Sequence, residues 1–225
     1  MFESQKNRLM LKVRALKKAY NNLQVLKGVD LQVDKGQVVS IVGASGAGKS
    51  TLLHILGILD SPDSGTVEID GKMVSALNAS SLSAFRNDHI GFVFQFHNLL
   101  PEFTALENIA MPSYIKGVGK KEAEAYAMDI MKLLGIDSRA NHQPSEMSGG
   151  EQQRAAVARA LINKPSIVFA DEPSGNLDSA NAKQLHELFF DLRDKMDQTF
   201  VIVTHNEELA AMADKTFEIK DGVIV

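Results

Sequence analysis

The segment GASGAGKS, residues Gly43 to Ser50, constrains the fold of this chain more than any other stretch. It matches the pattern G-x-x-x-x-G-K-S and lies between a short apolar run, QVVSIV, and a run whose leucines recur at helical spacing, KSTLLHILGIL. Glycines let the backbone wrap around phosphates, Lys49 reaches the terminal phosphates, and the Ser50 hydroxyl can hold magnesium. A chance glycine-rich turn is the alternative, but the flanking strand and helix are what a phosphate loop requires.

Strand-like and helix-like patterns alternate along the rest of the chain. Strands are predicted at LMLKVRALKKAY, LQVLKGVDLQV, QVVSIV, TVEID, HIGFVFQ, SIVFAD, TFVIVTH and KTFEIKDGVIV. Between Phe96 and Leu161 the spacing is helical, in TALENIAMPSYI, KKEAEAYAMDIMKLLGI and EQQRAAVARALI. This alternation predicts an α/β fold built on a parallel sheet. We expect a single domain over residues 1–225, with a helical subdomain at about residues 97–161 inserted in the sheet core.

Composition argues against several classes of protein. Of the 225 residues, 44% are hydrophobic, which is enough for one sizeable core. The formal charge of -4 argues against a reader of duplex nucleic acid, which usually carries a basic surplus. The absence of cysteine excludes disulfides. The start, MFESQKNRLMLK, lacks the apolar core of a secretory signal, and no apolar run of about 18 residues is present to span a membrane.

An acidic pair ends the apolar strand SIVFAD. Asp171 is the last residue of that strand, and Glu172 follows it. A carboxylate at this position can hold magnesium beside a phosphate loop, and a second carboxylate that points elsewhere can activate the attacking water. The alternative, an acidic pair that only caps the strand, carries weight where no phosphate loop precedes it.

Three further residues lie at predicted strand ends. Gln95 follows HIGFVF, and its amide can touch magnesium or the attacking water, although it is also an ordinary polar strand end. His205 follows FVIVT and can hold a γ-phosphate, although a lone histidine is more often structural. Tyr20 ends the first strand, where its ring can stack on adenine or simply pack against the sheet.

A second glycine-containing segment, MSGGEQQR, begins at Met147. Ser148 can cap the helix that follows, and the N–H groups of Gly149 and Gly150 at the helix start favour a phosphate. The chain therefore carries two candidate phosphate sites far apart in sequence, which raises the question of which nucleotide the second one contacts.

The set of motifs resembles the ATP-binding cassette (ABC) ATPases over almost the whole chain. The phosphate loop, Gln95, MSGGEQQR, FADEP, SGNLD and His205 occur in the order and spacing of that family. The resemblance implies an α/β P-loop NTPase fold with a RecA-like parallel sheet core, an N-terminal antiparallel β subdomain and an inserted α-helical subdomain. Met147 replaces the leucine of the usual signature LSGGQ, and Glu151 replaces its glutamine; neither change puts nucleotide binding in doubt.

Carried over position by position, the resemblance implies ATP and Mg2+ as ligands. Catalysis would rest on Lys49, Gln95, Glu172 and His205, and the metal on Ser50, Gln95 and Asp171. The ATP-binding set would comprise Tyr20, Gly43, Ala44, Ser45, Gly46, Ala47, Gly48, Lys49, Ser50, Thr51, Ser148, Gly149, Gly150 and Asp178. In ABC ATPases two chains pack head to tail, and the signature helix of one caps the nucleotide of the other. The second phosphate site would thus serve the partner's ATP.

Within the family, the short helical block argues against the repair and chromosome proteins, which carry a long coiled coil at this place. Three segments resemble the sequences of the ATPases of lipoprotein-releasing systems: GASGAGKSTLLHILGILDSPDSG, FHNLLPEFTALEN and SGGEQQRAAVARAL. The ATPases of macrolide or peptide exporters and of the cell-division ABC complex are the alternatives in the same branch.

That branch implies a homodimer of ATPase subunits on the cytoplasmic face of the cell inner membrane. The pair would drive integral-membrane permease subunits (LolC/LolE-like or a homodimeric equivalent) that release lipoproteins to a periplasmic carrier. It would contact no nucleic acid and no cargo. An apolar segment after Gln95 would receive a permease helix, unless it is subdomain core; its members are Phe96, Leu99, Leu100, Pro101 and Phe103.

Overall fold

The computed structural model describes residues 8–225. Its strands are β1 (Leu9–Tyr20), β2 (Leu23–Asp34), β3 (Val38–Val42), β4 (Ser64–Ile69), β5 (Lys72–Met73), β6 (Ile90–Phe94), β7 (Ile167–Asp171), β8 (Thr199–Val203), β9 (Lys215–Lys220) and β10 (Val223–Ile224). Its helices are α1 (Lys49–Leu56), α2 (Ala79–His89), α3 (Ala105–Ile115), α4 (Lys120–Leu133), α5 (Gly149–Leu161), α6 (Ser179–Met196) and α7 (Glu207–Met212). The first seven residues, part of the segment in which no secretory signal was expected, lie outside the described residues.

The main sheet has six strands in the order β10-β9-β3-β8-β7-β6. Neighbouring strands from β9 to β6 are parallel, and β10 runs antiparallel to β9. The runs VVSIV in β3 and TFVIV in β8 are almost wholly buried, as strands covered on both faces require. The predicted parallel α/β core is confirmed. The carboxyl ends of β3, β6, β7 and β8 consequently meet at one edge of the sheet.

A second sheet is antiparallel, in the order β2-β1-β4-β5. Its inward side chains form one apolar cluster with α1 and with the main sheet, in which Leu26, Leu52 and Phe169 are fully buried. The turn between β9 and β10 joins the two sheets, because the N–H of Lys27 donates to the carbonyl of Gly222 over 2.8 Å. The antiparallel sheet is thereby held against the strand and helix that flank the phosphate loop.

The helices α3, α4 and α5 follow β6 and precede β7, within the stretch expected to be an inserted helical block. Alanines are prominent at their contacts, since Ala110, Ala123 and Ala127 are fully buried in one cluster. Close packing also explains Gly91 in β6. A Cβ there would lie 2.5 Å from the carbonyl oxygen of Ala160, so glycine lets α5 approach the sheet.

Two local features depart from the sequence reading. Helix α2 was not predicted, because Phe85 is its only buried residue and no apolar stripe marks it; the Asn78 side chain caps its start. Leu59 was placed on the helical face of α1, but α1 ends at Leu56 before Gly57, and Leu59 is exposed. Among the helices of residues 8–225, none combines the length and apolar character that a membrane crossing needs.

Candidate active site

The phosphate loop connects β3 to α1 and curves around the end of Lys49. Three of its glycines have positive φ angles, 151° at Gly43, 79° at Gly46 and 104° at Gly48, which residues with a Cβ rarely adopt. The Lys49 ammonium donates to the carbonyl of Gly43 over 2.9 Å and to that of Ala44 over 3.0 Å. The loop therefore holds a cation inside a backbone concavity, which is an arrangement suited to an anion.

The start of α1 has no side-chain cap. Gly48 occupies its N-cap position and no acidic residue lies in its first turn. By contrast, side chains cap α2, α3, α5, α6 and α7, through Asn78, Thr104, Ser148, Asp178 and Asn206. Helix α4 also lacks a side-chain cap, but an acidic residue, Glu122, lies in its first turn. The uncapped N–H groups and the helix dipole at α1 remain available for a phosphate, so the residues present fit a nucleoside triphosphate.

Asp171 faces Ser50 across the gap between β7 and α1. The Ser50 hydroxyl donates to Asp171 Oδ1 over 3.3 Å, and His54 Nε2 lies 3.8 Å from Oδ2. Burial raises the pKa of the Asp171 carboxyl, against the lowering effect of the Ser50 hydrogen bond. A hydroxyl and a desolvated carboxylate are thus paired beside the phosphate loop, where a hard cation would find two oxygen ligands.

Glu172 and His205 follow the ends of the adjacent strands β7 and β8. Glu172 has a φ of 45°, which is a left-handed conformation. Its Oε2 lies 2.8 Å from His205 Nδ1 and accepts the backbone N–H of His205 over 3.2 Å. The carboxylate is therefore held by two donors of one residue while the histidine ring stays exposed.

A cavity of about 430 Å³ brings the phosphate loop together with Glu172 and Tyr20. Its walls include Gly46, Lys49 and Thr51. Tyr20 ends β1 with 44% of its surface exposed, and its hydroxyl donates to Asp60. An aromatic ring, a cationic loop and a carboxylate thus line one space of nucleotide size.

Gln95 contacts a different loop. Its Nε2 donates to Asn176 Oδ1 over 3.1 Å, and Asn176 Nδ2 donates to the Gln95 carbonyl over 3.1 Å. Among residues 8–225 no hydrogen bond joins Gln95 to Ser50 or Asp171. The sequence analysis included Asn176 in the motif SGNLD without assigning it a role; its position four residues after Glu172 was the only available signal.

The segment Ser148 to Gly150 forms the start of α5, away from the cavity. Ser148 caps the helix, accepting the N–H of Glu151 over 3.3 Å, and Glu151 Oε2 accepts the N–H of Ser148 over 2.8 Å. Arg139 Nε donates to Glu151 Oε1 over 2.7 Å. None of the residues lining the cavity comes from this segment. One chain therefore does not bring its two candidate phosphate sites together.

Asp178 lies next to that segment and caps α6. Its Oδ1 accepts the N–H of Asn181 over 2.9 Å and its Oδ2 the Asn181 side-chain amide over 2.7 Å. A Cβ on Gly150 would lie 2.8 Å from Asn181 Oδ1, so the starts of α5 and α6 are in close contact. Ser148, Gly149, Gly150 and Asp178 consequently share one surface, separate from the phosphate loop.

The phosphate loop, the paired serine and aspartate, and the glutamate held by a histidine define a P-loop ATPase cassette. A family model described as "ABC transporter" matches residues 26–175. The chain belongs to the ABC transporter family, and as an ABC ATPase it binds and hydrolyses ATP. The predicted ABC-type fold is confirmed.

Individual relatives match nearly the whole chain. It is 62% identical to the lipoprotein-releasing system ATP-binding protein LolD of Cytophaga hutchinsonii and 60% identical to that of Bacteroides thetaiotaomicron, covering 96% of this chain and 99% of each relative. Among solved structures, dimeric MJ0796, a bacterial ABC transporter cassette, matches with a TM-score of 0.87 and 39% identity over 96% of both chains. A post-hydrolysis dimer of MJ0796 bound to ADP and Pi matches equally well.

Proposed function

We propose that this chain is the ATP-hydrolysing subunit of a lipoprotein-releasing ABC transporter. The 60% and 62% identity to LolD proteins over nearly their full length supports that branch. The observation that carries the chemistry is the Glu172 carboxylate, which His205 holds through two contacts on the wall of the cavity that contains Lys49 and Ser50. We also propose that residues 1–225 form one ATPase domain, with a helical subdomain at about residues 97–161 inserted in its core.

The residues of the chain would divide the work as follows. Residues Gly43 to Thr51 would bind the phosphates through backbone N–H groups. The Lys49 ammonium, which now donates to two backbone carbonyls, would donate to the β- and γ-phosphates instead. Glu172 accepts a proton from the attacking water, and His205 contacts the γ-phosphate. Because His205 contacts the Glu172 carboxylate through its ring and its backbone N–H, it orients that carboxylate.

The oxygen donors near the phosphate loop fit Mg2+. Ser50 and Asp171 already lie within hydrogen-bond distance of each other, and Gln95 would join them after leaving Asn176. One carboxylate plus neutral oxygens is the usual protein share of a magnesium site, with phosphates and water filling the rest. A bound magnesium ion would neutralise charge on the β- and γ-phosphates.

We infer that the protein acts as a homodimer with ATP between the subunits. The separation of Ser148–Gly150 from the cavity supports this, since the second phosphate site lacks a nucleotide within its own chain. The solved relative MJ0796 is dimeric. Asp178, beside the segment Ser148 to Gly150, would then face the partner's nucleotide together with Ser148.

A surface beside the helical block suits the permease partner. A cavity of about 450 Å³ lies between α2, β6, α3 and α5, with Phe94, Asn98 and Ile115 in its walls. Phe96 and Ile115 are both 73% exposed, and Leu100 and Phe103 are also exposed, whereas Leu99 packs against the core. Of these residues only Ile115 lines the cavity. We propose that a LolC/LolE-like permease, or a homodimeric equivalent, inserts a short helix here. The ATPase would thus sit on the cytoplasmic face of the inner membrane, away from the cargo and from nucleic acid.

The test is reconstitution of the complete complex in lipid vesicles. The chain, co-purified with its permease subunits, should release lipoprotein to a periplasmic carrier when ATP is added, and the same complex with Glu172→Gln should not. Addition of lipoprotein should stimulate hydrolysis, whereas a macrolide should not. Hydrolysis stimulated by the macrolide, without lipoprotein release, would assign the chain to an exporter instead.

A further inference from the structure

The side chains of Tyr20, Asp60 and Lys18 contact one another and form a linked group at the end of β1. The Tyr20 hydroxyl donates to Asp60 Oδ2 over 2.5 Å, and the Lys18 ammonium donates to Asp60 Oδ1 over 3.0 Å. Lys18 Nζ also lies 5.0 Å from the centre of the Tyr20 ring, within range of a cation–π contact. The ring is thus held at its edge by a carboxylate and flanked by an ammonium.

Both partners of the ring are themselves fixed. Asp60 Oδ1 accepts the N–H of Ser61 over 2.7 Å, and the Lys18 ammonium also donates to the Ser61 carbonyl over 2.7 Å. The Lys18 side chain is only 11% exposed. A long lysine side chain and a partly exposed aspartate are therefore each held by more than one hydrogen bond.

The backbone of this group is tied to the helix that follows the phosphate loop. The N–H groups of Leu59 and Asp60 donate to the carbonyl of His54, over 2.8 Å and 3.3 Å. His54 lies in the last turn of α1, and α1 begins at Lys49. Asp60 therefore connects the ring of Tyr20, the last residue of β1, to the C-terminal end of α1, the helix that follows the phosphate loop.

The ionisation of the group agrees with this geometry. The Tyr20 hydrogen bond lowers the pKa of Asp60, and the Asp60 hydrogen bond raises the pKa of Tyr20. Both shifts keep a neutral phenol donating to a charged acceptor, which is the stronger form of such a hydrogen bond.

We propose that Asp60 is a positioning residue for the base of the nucleotide. By holding the Tyr20 hydroxyl, and by keeping Lys18 on one side of the ring, it orders the aromatic surface before the base arrives. The inference rests on the proposed ATP-binding function, in which the Tyr20 ring forms the adenine platform, that is, the surface on which the adenine stacks. An ordered ring saves the entropy of immobilising that side chain on binding, which corresponds to about a two- to tenfold gain in ATP affinity.

The experiment compares Tyr20→Phe, Asp60→Ala and the double variant of the full chain. Tyr20→Phe removes a hydroxyl from a half-exposed ring and leaves the ring in place, so it preserves the fold. Equilibrium dissociation constants are measured for ATP and for inorganic tripolyphosphate, which lacks a base. Tyr114→Phe is the matched control, because the Tyr114 hydroxyl donates to Glu124 on the helical block, over 3.3 Å.

We expect each single variant to weaken ATP binding about two- to tenfold. The double variant should bind ATP no more weakly than the weaker-binding single variant, because both changes remove the same hydrogen bond between Tyr20 and Asp60. Tripolyphosphate binding should be unchanged throughout, and Tyr114→Phe should bind ATP normally. In turnover assays the loss should appear in KM, with kcat preserved.

Three results overturn the proposal. The first is unchanged ATP affinity in Tyr20→Phe. The second is an Asp60→Ala loss that has the same size in the unaltered protein and in the Tyr20→Phe variant, and the third is a parallel loss for ATP and tripolyphosphate. A further variant, Tyr20→Ala, separates the role of the Tyr20 ring in binding adenine from its positioning by Asp60. Unchanged ATP affinity there refutes the adenine platform itself, whereas a large loss there with none in Tyr20→Phe refutes only the positioning by Asp60.

Discussion

One carboxylate oxygen of Glu172 contacts His205 twice, at 2.8 Å from the ring Nδ1 and, through a hydrogen bond, at 3.2 Å from the backbone nitrogen. The backbone donor is present whatever side chain stands at position 205, whereas the ring donor is not. The carboxylate is therefore oriented by the turn after β8 as well as by the imidazole. Loss of the base and loss of its partner are consequently different perturbations.

Glu172→Gln should abolish catalysis while it preserves ATP binding. The amide keeps the size of the side chain but accepts no proton, so we expect hydrolysis to fall by about 10² or more, the usual scale for losing a general base. The dimer with bound ATP should then accumulate on gel filtration. Glu207→Gln, which changes an exposed acid at the start of α7, is the control and should turn over normally. Near-normal turnover in Glu172→Gln would mean that another group is the base.

Mixing two defective proteins should restore one nucleotide site. Lys49→Ala removes the cation from the phosphate loop, and Ser148→Arg blocks the start of α5 with bulk. If the two sites meet across a dimer, the mixed dimer has one composite site with both defects and one built from intact halves. We expect mixing to restore ATP-dependent pairing and nucleotide trapping at a single site.

The same mixture distinguishes the opposite arrangement. If both phosphate sites acted on the nucleotide of one chain, mixing would restore nothing. A chain carrying both changes, paired with a normal chain, would instead retain one good site. Trapping is the better measurement because steady turnover also depends on coupling between the two sites.

Ile115→Asp should separate the ATPase from its permease. Ile115 lines the cavity beside α2 and is 73% exposed, so a charge there costs the fold little but opposes burial by a partner. We expect failure to co-purify with the permease, with ATP affinity of the isolated chain unchanged. Met196→Asp, at the exposed end of α6, is the control and should co-purify. Co-purification of Ile115→Asp would place the docking surface elsewhere.

Glu151 should contribute stability that depends on pH. The Arg139 side chain, followed by the N–H of Ser148, holds the pKa of Glu151 below its usual 4.5. A carboxyl whose pKa is lower in the folded state stabilises the fold above its unfolded pKa and loses that contribution as the pH falls through the folded value. The free energy of unfolding should therefore decrease below pH 4.5, and Glu151→Gln should remove this part of the decrease.

Urea unfolding at a series of pH values measures this contribution. Glu187→Gln, an exposed glutamate of α6, is the control and should follow the pH dependence of the unaltered protein. A curve for Glu151→Gln that is parallel to that of the unaltered protein would show that the Arg139 contact adds no pH-dependent stability.

The fold was predictable where periodicity and burial agree, and less so elsewhere. The buried run VVSIV and the loop Gly43–Ser50 specify β3 and the start of α1, because few other structures accommodate a phosphate loop. Helix α2 was missed because a helix that buries one phenylalanine leaves no apolar period to detect. The extent of α1 was overestimated because Leu59 continues its spacing beyond Gly57.

The candidate site shows a similar division. Motif spacing anticipates which residues stand at the ends of β7 and β8, since parallel strands end at the same edge of a sheet. It does not anticipate the reciprocal contact of Gln95 with Asn176 or that of Tyr20 with Asp60. Those pairs are 81 and 40 residues apart and depend on tertiary packing.

The position of β3 in the main sheet has a consequence for synthesis of the chain. The strand that carries the phosphate loop pairs on one side with β8 and on the other with β9, whose residues begin at Thr199 and Lys215. While the ribosome is still translating the first 198 residues, both edges of β3 lack their partners. The ATP site can therefore assemble only after β8 and β9 have been synthesised, and nascent chains that stall before Thr199 expose β3 to chaperones and to aggregation.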